Sequence, residues 1–286
     1  MGYDNTRIYK EEWATKLQEM LDEPTKWKDV CRVEYTNTKV FHNPYLTDPT
    51  VQSLSRGTPY TMQPITETDE SVNVNQTRVA ASFIDRADLA QSTLLKQMEL
   101  AERQGVLLNE QVETAFYADH GNLTNFGSGD ITGGSVADTT TITVSETNID
   151  NIIRHIKRVI RVASGEGLLE RNGGFIVWRP ADMEILESFM QAYGFATADQ
   201  ALKGGAKQGM NYMGITHYTS NLLAANHVIA GVKKLYHIGI LKDTYGQIVV
   251  NQDPALTSGI SVVSRVDYGL KAWNNSKSVL FDMNVS

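Results

Sequence analysis

The stretch that decides the fold runs from residue 72 to residue 120: VNVNQTRVAASFID (72–85), then RADLAQSTLLKQMELAERQGVLLNEQVETAFYADH (86–120). The first part alternates. Val72 and Val74 stand between Asn73 and Asn75, the period of a half-buried strand. The second part changes period. Leu94, Met98, Ala101, Gly105, Leu108, Val112 and Ala115 recur in steps of four and three, the stripe of one helix face. Residues 86–119 therefore predict a helix of about 51 Å at 1.5 Å per residue, with Asp85 able to cap its start. The same steps satisfy a heptad, so a short coiled coil is the competing reading. Gly105 and the alanines fill a coiled-coil core poorly. Gly105 is expected to mark a bend or a close contact.

Upstream, Pro44, Pro49, Pro59 and Pro64 argue against helix. Thr58 to Ile65 and Val72 to Ile84 are candidate strands. Between them, Thr66 to Ser71 form a polar tip carrying Glu67, Asp69 and Glu70. A long hairpin with so little apolar content cannot bury a core of its own and needs a partner surface. Residues 1–35 read as a loose arm. It holds a short helix from Lys10 to Leu21, ended by Pro24, and an incidental thiol at Cys31.

Downstream, residues 121–147 are rich in Gly, Ser, Thr and Asp and read as a surface loop or small hairpin ending in Thr139 to Val144. Residues 148–163 predict an amphipathic helix. Ile149, Ile152, Ile153, Ile156, Ile160 and Ala163 line one face; Arg154, Lys157, Arg158 and Arg161 line the other. Beyond residue 173 the pattern is mixed. Phe175 to Trp178 is a buried strand, Pro180 to Tyr193 a helix with proline in its first turn, and 194–214 a Gly/Ala-rich loop. Strands follow near Gly214–Thr219 and His227–Gly231, then Ile260 to Trp273 and Val279 to Val285.

The chain has 286 residues, 41% hydrophobic and 21% charged, which suits a folded protein able to bury a core without staples. Its single cysteine excludes an intramolecular disulfide and a cysteine-based zinc site. No apolar run is long enough to span a bilayer. The opening residues, Met1 to Asn5, do not read as a secretory signal, which predicts synthesis in the cytoplasm without export. The net charge of −7 lies entirely in residues 1–120, where 19 acidic residues outnumber 12 basic ones. A protein held to nucleic acid mainly by charge is usually basic in at least one domain.

No catalytic constellation emerges. There is no GxxxxGK[ST] loop, no GxSxG elbow and no HExxH pair. Gly127-Ser128-Gly129 lacks the third glycine and following helix of a dinucleotide site. The six histidines are scattered without metal-ligand spacing, and His120 at a helix end reads as a dipole partner. No cofactor and no metal are expected. The basic face at 154–161 fits an ordinary solvated face or a phosphate-facing one.

The order of parts resembles the tailed-phage major capsid proteins of the Hong Kong 97 type, over nearly the whole chain. Local phrases share the resemblance: Asp85-Arg86-Ala87-Asp88-Leu89-Ala90 entering the long helix, Gly214 to Asn221, and Arg265 to Trp273. It implies an α+β fold with an N-terminal arm (1–40), an E-loop hairpin (50–84), a P-domain with its spine helix (85–150 and 259–286) and an A-domain (151–258). It implies hexamers and pentamers in an icosahedral head around double-stranded DNA, in the virion, assembled in the host cytoplasm. Implied partners are other copies of the chain, a separate scaffolding protein, a portal and a decoration protein, with no membrane. The best-known member joins its subunits through a lysine on the E-loop. No lysine lies between Lys39 and Lys96, so no such bond is expected. An encapsulin-like cargo shell and a soluble α/β enzyme are the alternative readings. In the first reading the Glu67, Asp69 and Glu70 tip meets a neighbouring subunit, and Arg154, Lys157, Arg158 and Arg161 face packaged DNA.

Overall fold

The alternating stretch and the helix after it pack on each other. The computed structural model describes residues 25–46, 48–85, 96–133, 138–192, 210–244, 248–251, 259–274 and 277–286. The first half of the chain gives α1 (Trp27–Val30), β1 (Arg32–Thr36), β2 (Val40–His42), β3 (Tyr45–Leu46), β4 (Glu67–Thr68), β5 (Ser71–Asn73), β6 (Gln76–Asp85), α2 (Lys96–Ala118), β7 (Thr124–Phe126) and α3 (Ser128–Ile131). The second half gives α4 (Ile149–Val162), α5 (Glu166–Asn172), β8 (Gly174–Trp178), α6 (Pro180–Ala192), β9 (Met210–Tyr212), β10 (Ile215–Thr219), β11 (His227–Val232), β12 (Tyr236–Leu241), β13 (Ile248–Asn251), β14 (Gly259–Ala272) and β15 (Leu280–Asn284).

Two sheets organise these elements. In the first, strands run in the order β1-β12-β14-β13, and β6 pairs with β14 from Asp85↔Gly259 to Gln76↔Tyr268. In the second the order is β7-β15-β11-β8-β10-β9. Helix α2 lies on the first sheet against β6 and β14. Its buried line is Ala101, Gln104, Leu108, Val112, Phe116 and Tyr117. Gln104 fixes the docking: its amide donates to Ser82 Oγ at 2.9 Å and to the Val262 carbonyl at 3.1 Å, and accepts from Ser264 Oγ at 2.8 Å. The stripe thus belongs to a helix on a sheet, and the coiled-coil reading falls. Gly105 marks no close contact, since a Cβ there would meet nothing within 4 Å.

The second sheet is covered on both faces, which is why β8 reads as an unbroken apolar run. Ile176 and Trp178 pack with α4 and α6; Phe175 and Val177 pack with α2 and the first sheet. Helix α4 buries Ile149, Ile152, Ile153, Ile156, Val159 and Ile160. Each such side chain contributes roughly 1.5–3 kcal/mol relative to exposure.

The expected arm is corrected. Residues 25–40 are no arm: Trp27, Val30 and Cys31 are buried, and β1 pairs in parallel with β12 from Arg32↔His237 to Thr36↔Leu241. The apolar side chains lie one turn apart on a four-residue helix, too short for periodicity to register. Burial pushes the Cys31 thiol well up, so it behaves as a core hydrophobe. Within residues 259–286 the chain divides between the sheets: β14 lies in the first and β15 does not. β15 joins the second sheet, antiparallel to β11 and parallel to β7. Conversely β12, inside the expected 151–258 unit, belongs to the first sheet. Thr139 to Val144 forms only one bridge, Ile142↔Val285. The expected helix at 10–21, the first ten residues of the long helix and most of the 194–214 loop lie outside the described residues.

Candidate assembly surface

A two-armed hairpin projects from the first sheet. Its base is β2 on β5, with Val40↔Asn73 and His42↔Ser71, followed by β3 on β4, with Tyr45↔Thr68 and Leu46↔Glu67. Beyond β3 the ladder gives way to side-chain pairing. The Thr50 backbone N–H and hydroxyl donate to Gln63 Oε1 at 2.9 and 2.7 Å, and Gln52 exchanges bonds with the Thr61 backbone at 2.7 and 3.1 Å. The chain reverses at Ser55–Thr58, where Gly57 has φ +90. A positive φ favours glycine, and Thr66 to Ser71 offers none.

The turn is therefore Arg56-Gly57, and the acidic residues are not at the tip. Glu67, Asp69 and Glu70 lie in the returning arm. Glu67 and Asp69 are exposed, and Asp69 accepts from His42 Nδ1 at 2.5 Å. Glu70 is buried against the body and accepts the Asn274 backbone N–H at 3.2 Å. The hairpin also starts at Val40 rather than at residue 50.

The base is seated on two glycines that sequence reading missed. Gly239 and Gly269 face each other across β12 and β14. A Cβ on Gly269 would lie 2.1 Å from the Asn73 carbonyl oxygen, and one on Gly239 would lie 2.4 Å from the Phe41 ring. The pair makes a floor smooth enough for the hairpin backbone. Phe41 meets Trp273 edge-on at 6.5 Å, Val72 and Val74 are buried, and Lys271 Nζ donates to the Ser71 carbonyl at 3.1 Å. His237 packs edge-on against Trp273 at 4.9 Å. Burial, then the Arg32 charge, lowers its pKa to about 4.

Beyond the base, apolar side chains meet water. Val51 is 99% exposed and Met62 80%, with Leu46, Leu54, Tyr60 and Ile65 also exposed. Such a run along extended, weakly paired chain is a surface for another molecule.

The four basic residues of α4 do share a face, but each is engaged within the chain. Arg154 pairs with Asp150 at 2.5 Å, and Arg161 with Glu166 at 3.0 Å. Lys157 donates to the Met213 carbonyl at 2.6 Å, and Arg158 to the Asp130 carbonyl at 2.6 Å. Arg154 and Arg161 keep their side chains 55% exposed, and these two are open to a second partner. Burial, followed by Arg158 and Arg154, lowers the pKa of His155 on the same helix.

The segment entering the body is tied to α2. Glu113 is fully buried, accepts the Lys26 backbone N–H at 2.8 Å and takes a short hydrogen bond from the Tyr117 hydroxyl. No described helix is long and apolar enough to cross a membrane.

No family model matches the sequence, and no curated protein is similar to it. The fold, however, is shared with chains of solved phage and GTA-particle structures. A chain of Mycobacterium phage Che8 superposes with a TM-score of 0.69 at 16% identity, covering 99% of this chain and 98% of its own. A chain from the capsid of Ralstonia phage GP4 gives 0.68 at 9% identity, covering 99% and 97%. A chain from the capsid of an empty GTA particle gives 0.69 at 12% identity, covering 100% and 98%. At these identities the likeness is one of fold, and it runs end to end.

Proposed function

We propose that this chain is the major capsid protein of a tailed phage, a structural subunit and not an enzyme, located in the virion. The observation that carries the reading is the end-to-end fold match to capsid chains, with coverage of 97–98% of each of the three chains described above. The projecting hairpin supports it independently: it offers apolar side chains that its own body does not cover.

In this reading the 40–73 hairpin is the E-loop of a Hong Kong 97-type subunit, α2 is its spine helix, and the second sheet with α4 and α6 forms the A-domain. Subunits assemble as hexamers and pentamers into an icosahedral head around double-stranded DNA. A separate scaffolding protein, a portal and a decoration protein complete the partners. Glu67 and Asp69, on the exposed returning arm, meet the neighbouring subunit. Arg154 and Arg161, with Lys157 and Arg158 beside them, face the packaged DNA.

Electron microscopy of the protein purified after co-expression with its neighbouring genes tests this. Closed icosahedral shells are expected. A monomer at every concentration, with and without scaffold, overturns the reading. Shells that enclose a protein cargo and no nucleic acid replace it with the encapsulin-like one.

A further inference from the structure

Three side chains remote in sequence converge beside the end of α2. His120 lies in the turn Asp119–Asn122, His227 opens β11, and Asp282 lies within β15. His120 Nδ1 stands 3.1 Å from Asp282 Oδ2, and His227 Nδ1 stands 2.9 and 3.1 Å from the two Asp282 oxygens. The two imidazoles are stacked, with centroids 3.7 Å apart and planes 28° from parallel. Asp282 is buried and both histidines are half-buried. Among the described residues this is the one group of three such ligands within mutual reach.

We propose that His120, His227 and Asp282 form a binding site for a divalent cation of the zinc, cobalt or nickel type. Two ligands bonded to one such ion at about 2.0–2.1 Å stand roughly 2.9–3.3 Å apart at octahedral to tetrahedral angles. The observed N···O separations fall in that range without rearrangement of the backbone. Imidazole nitrogen with a single carboxylate suits these borderline metals, whereas calcium and magnesium prefer all-oxygen sites. Each imidazole would ligate through Nδ1 with its proton on Nε2, and because a ring nitrogen donates in the ring plane, the two stacked rings must turn about their side-chain torsions to aim at one ion. Three protein ligands leave a position for water.

The frame holding the ligands is rigid. His120 is fixed by the Leu123 N–H to its carbonyl at 2.9 Å, and His227 by its own N–H to the Ala224 carbonyl at 3.1 Å. Asp282 sits in mid-strand, paired on one side with Ile229 and on the other with Asn125. A bound ion would clip the end of the long helix to the second sheet. That is a role in subunit stability, separate from the surface used for assembly.

The test is titration of chelator-treated full-length protein with zinc chloride and cobalt chloride. Saturation at one ion per chain is expected, with a cobalt visible spectrum of nitrogen and oxygen ligation and a zinc-dependent rise in Tm. His227→Gln and His120→Gln should each weaken binding at least ~10-fold. His42→Gln, a histidine remote from this cluster, should leave it unchanged. Absence of saturable binding to the wild-type chain overturns the proposal whatever the variants do, and leaves a plain hydrogen-bonded cluster. Binding of equal strength in both cluster variants overturns it too. Neither result bears on shell formation, which microscopy reads separately.

Discussion

Three glycines in this chain ask for opposite treatment. Gly105, in the middle of α2, faces open space, so a methyl group there costs no contact and removes freedom from the unfolded chain. Gly105→Ala should stabilise the subunit by about 0.5–1 kcal/mol, read as an upward shift in the denaturant midpoint. Gly239 and Gly269 form the floor under the hairpin. Gly239→Ala presses on the Phe41 ring, which can swing. Gly269→Ala presses on the Asn73 backbone, which cannot, and should cost on the order of 1–3 kcal/mol. Hydrogen exchange at Val72 and Val74 should rise in that variant; unchanged protection there would remove the floor from the argument.

Two buried histidines give the same residue scale a pH dependence. His217 accepts the Trp178 indole N–H at 2.9 Å, and burial lowers its pKa to about 4. His237 is lowered to about 4 as well, by burial and then by Arg32. Both fold as neutral rings, while the unfolded chain takes up a proton near 6.5. Stability is therefore whole above about pH 6.5 and is lost as pH falls from there towards 4, by up to ~1.4 kcal/mol per unit for each ring. Chemical denaturation between pH 7.5 and 4 checks this. His217→Gln keeps an acceptor for the indole and should flatten the slope; an unchanged slope would exclude His217 as its source.

At the scale of elements, the hairpin divides into a seated base and an uncovered distal part. A triple variant Val51→Ser, Met62→Ser and Ile65→Ser alters only exposed side chains. The subunit's own stability should change by no more than about 0.5 kcal/mol. Burial of these three against a neighbour is worth roughly 1.5–3 kcal/mol each, so shells should fail to form or melt early. Normal shells of normal heat resistance would remove the hairpin from the interface. The elements legible from sequence were those whose periodicity survives in one segment: α2, α4, β8, β6 and the long β14. The turn of the hairpin was misplaced because polarity was read as a turn, when Gly57 marks it. The seating of Glu70, the glycine floor and the His120–His227–Asp282 cluster were illegible because each depends on register between distant segments; His120 and Asp282 are 162 residues apart.

At the scale of the whole molecule, α2 and both sheets share one buried cluster, and the hairpin extends from that body. If the proposed head encloses DNA, an acidic subunit must still present some cations to phosphate, and α4 carries four on one face. The structure narrows the experiment. Arg158 and Lys157 hold backbone carbonyls of their own chain, so reversing them would disturb the fold as well as the surface. Arg154 is held by Asp150 and Asn151, and Arg161 by Glu166, side-chain contacts of half-exposed guanidinium groups that are each worth little in water. Arg154→Gln with Arg161→Gln should leave the melting of the isolated subunit within about 0.5 kcal/mol of wild type. If the face meets DNA, empty shells assemble normally, and filled heads lose DNA at a lower temperature. Removing phosphate contacts also lowers the salt sensitivity of DNA retention, because fewer counterions are released. If instead the face meets a neighbour, empty shells assemble poorly and the DNA-facing assignment of α4 is lost.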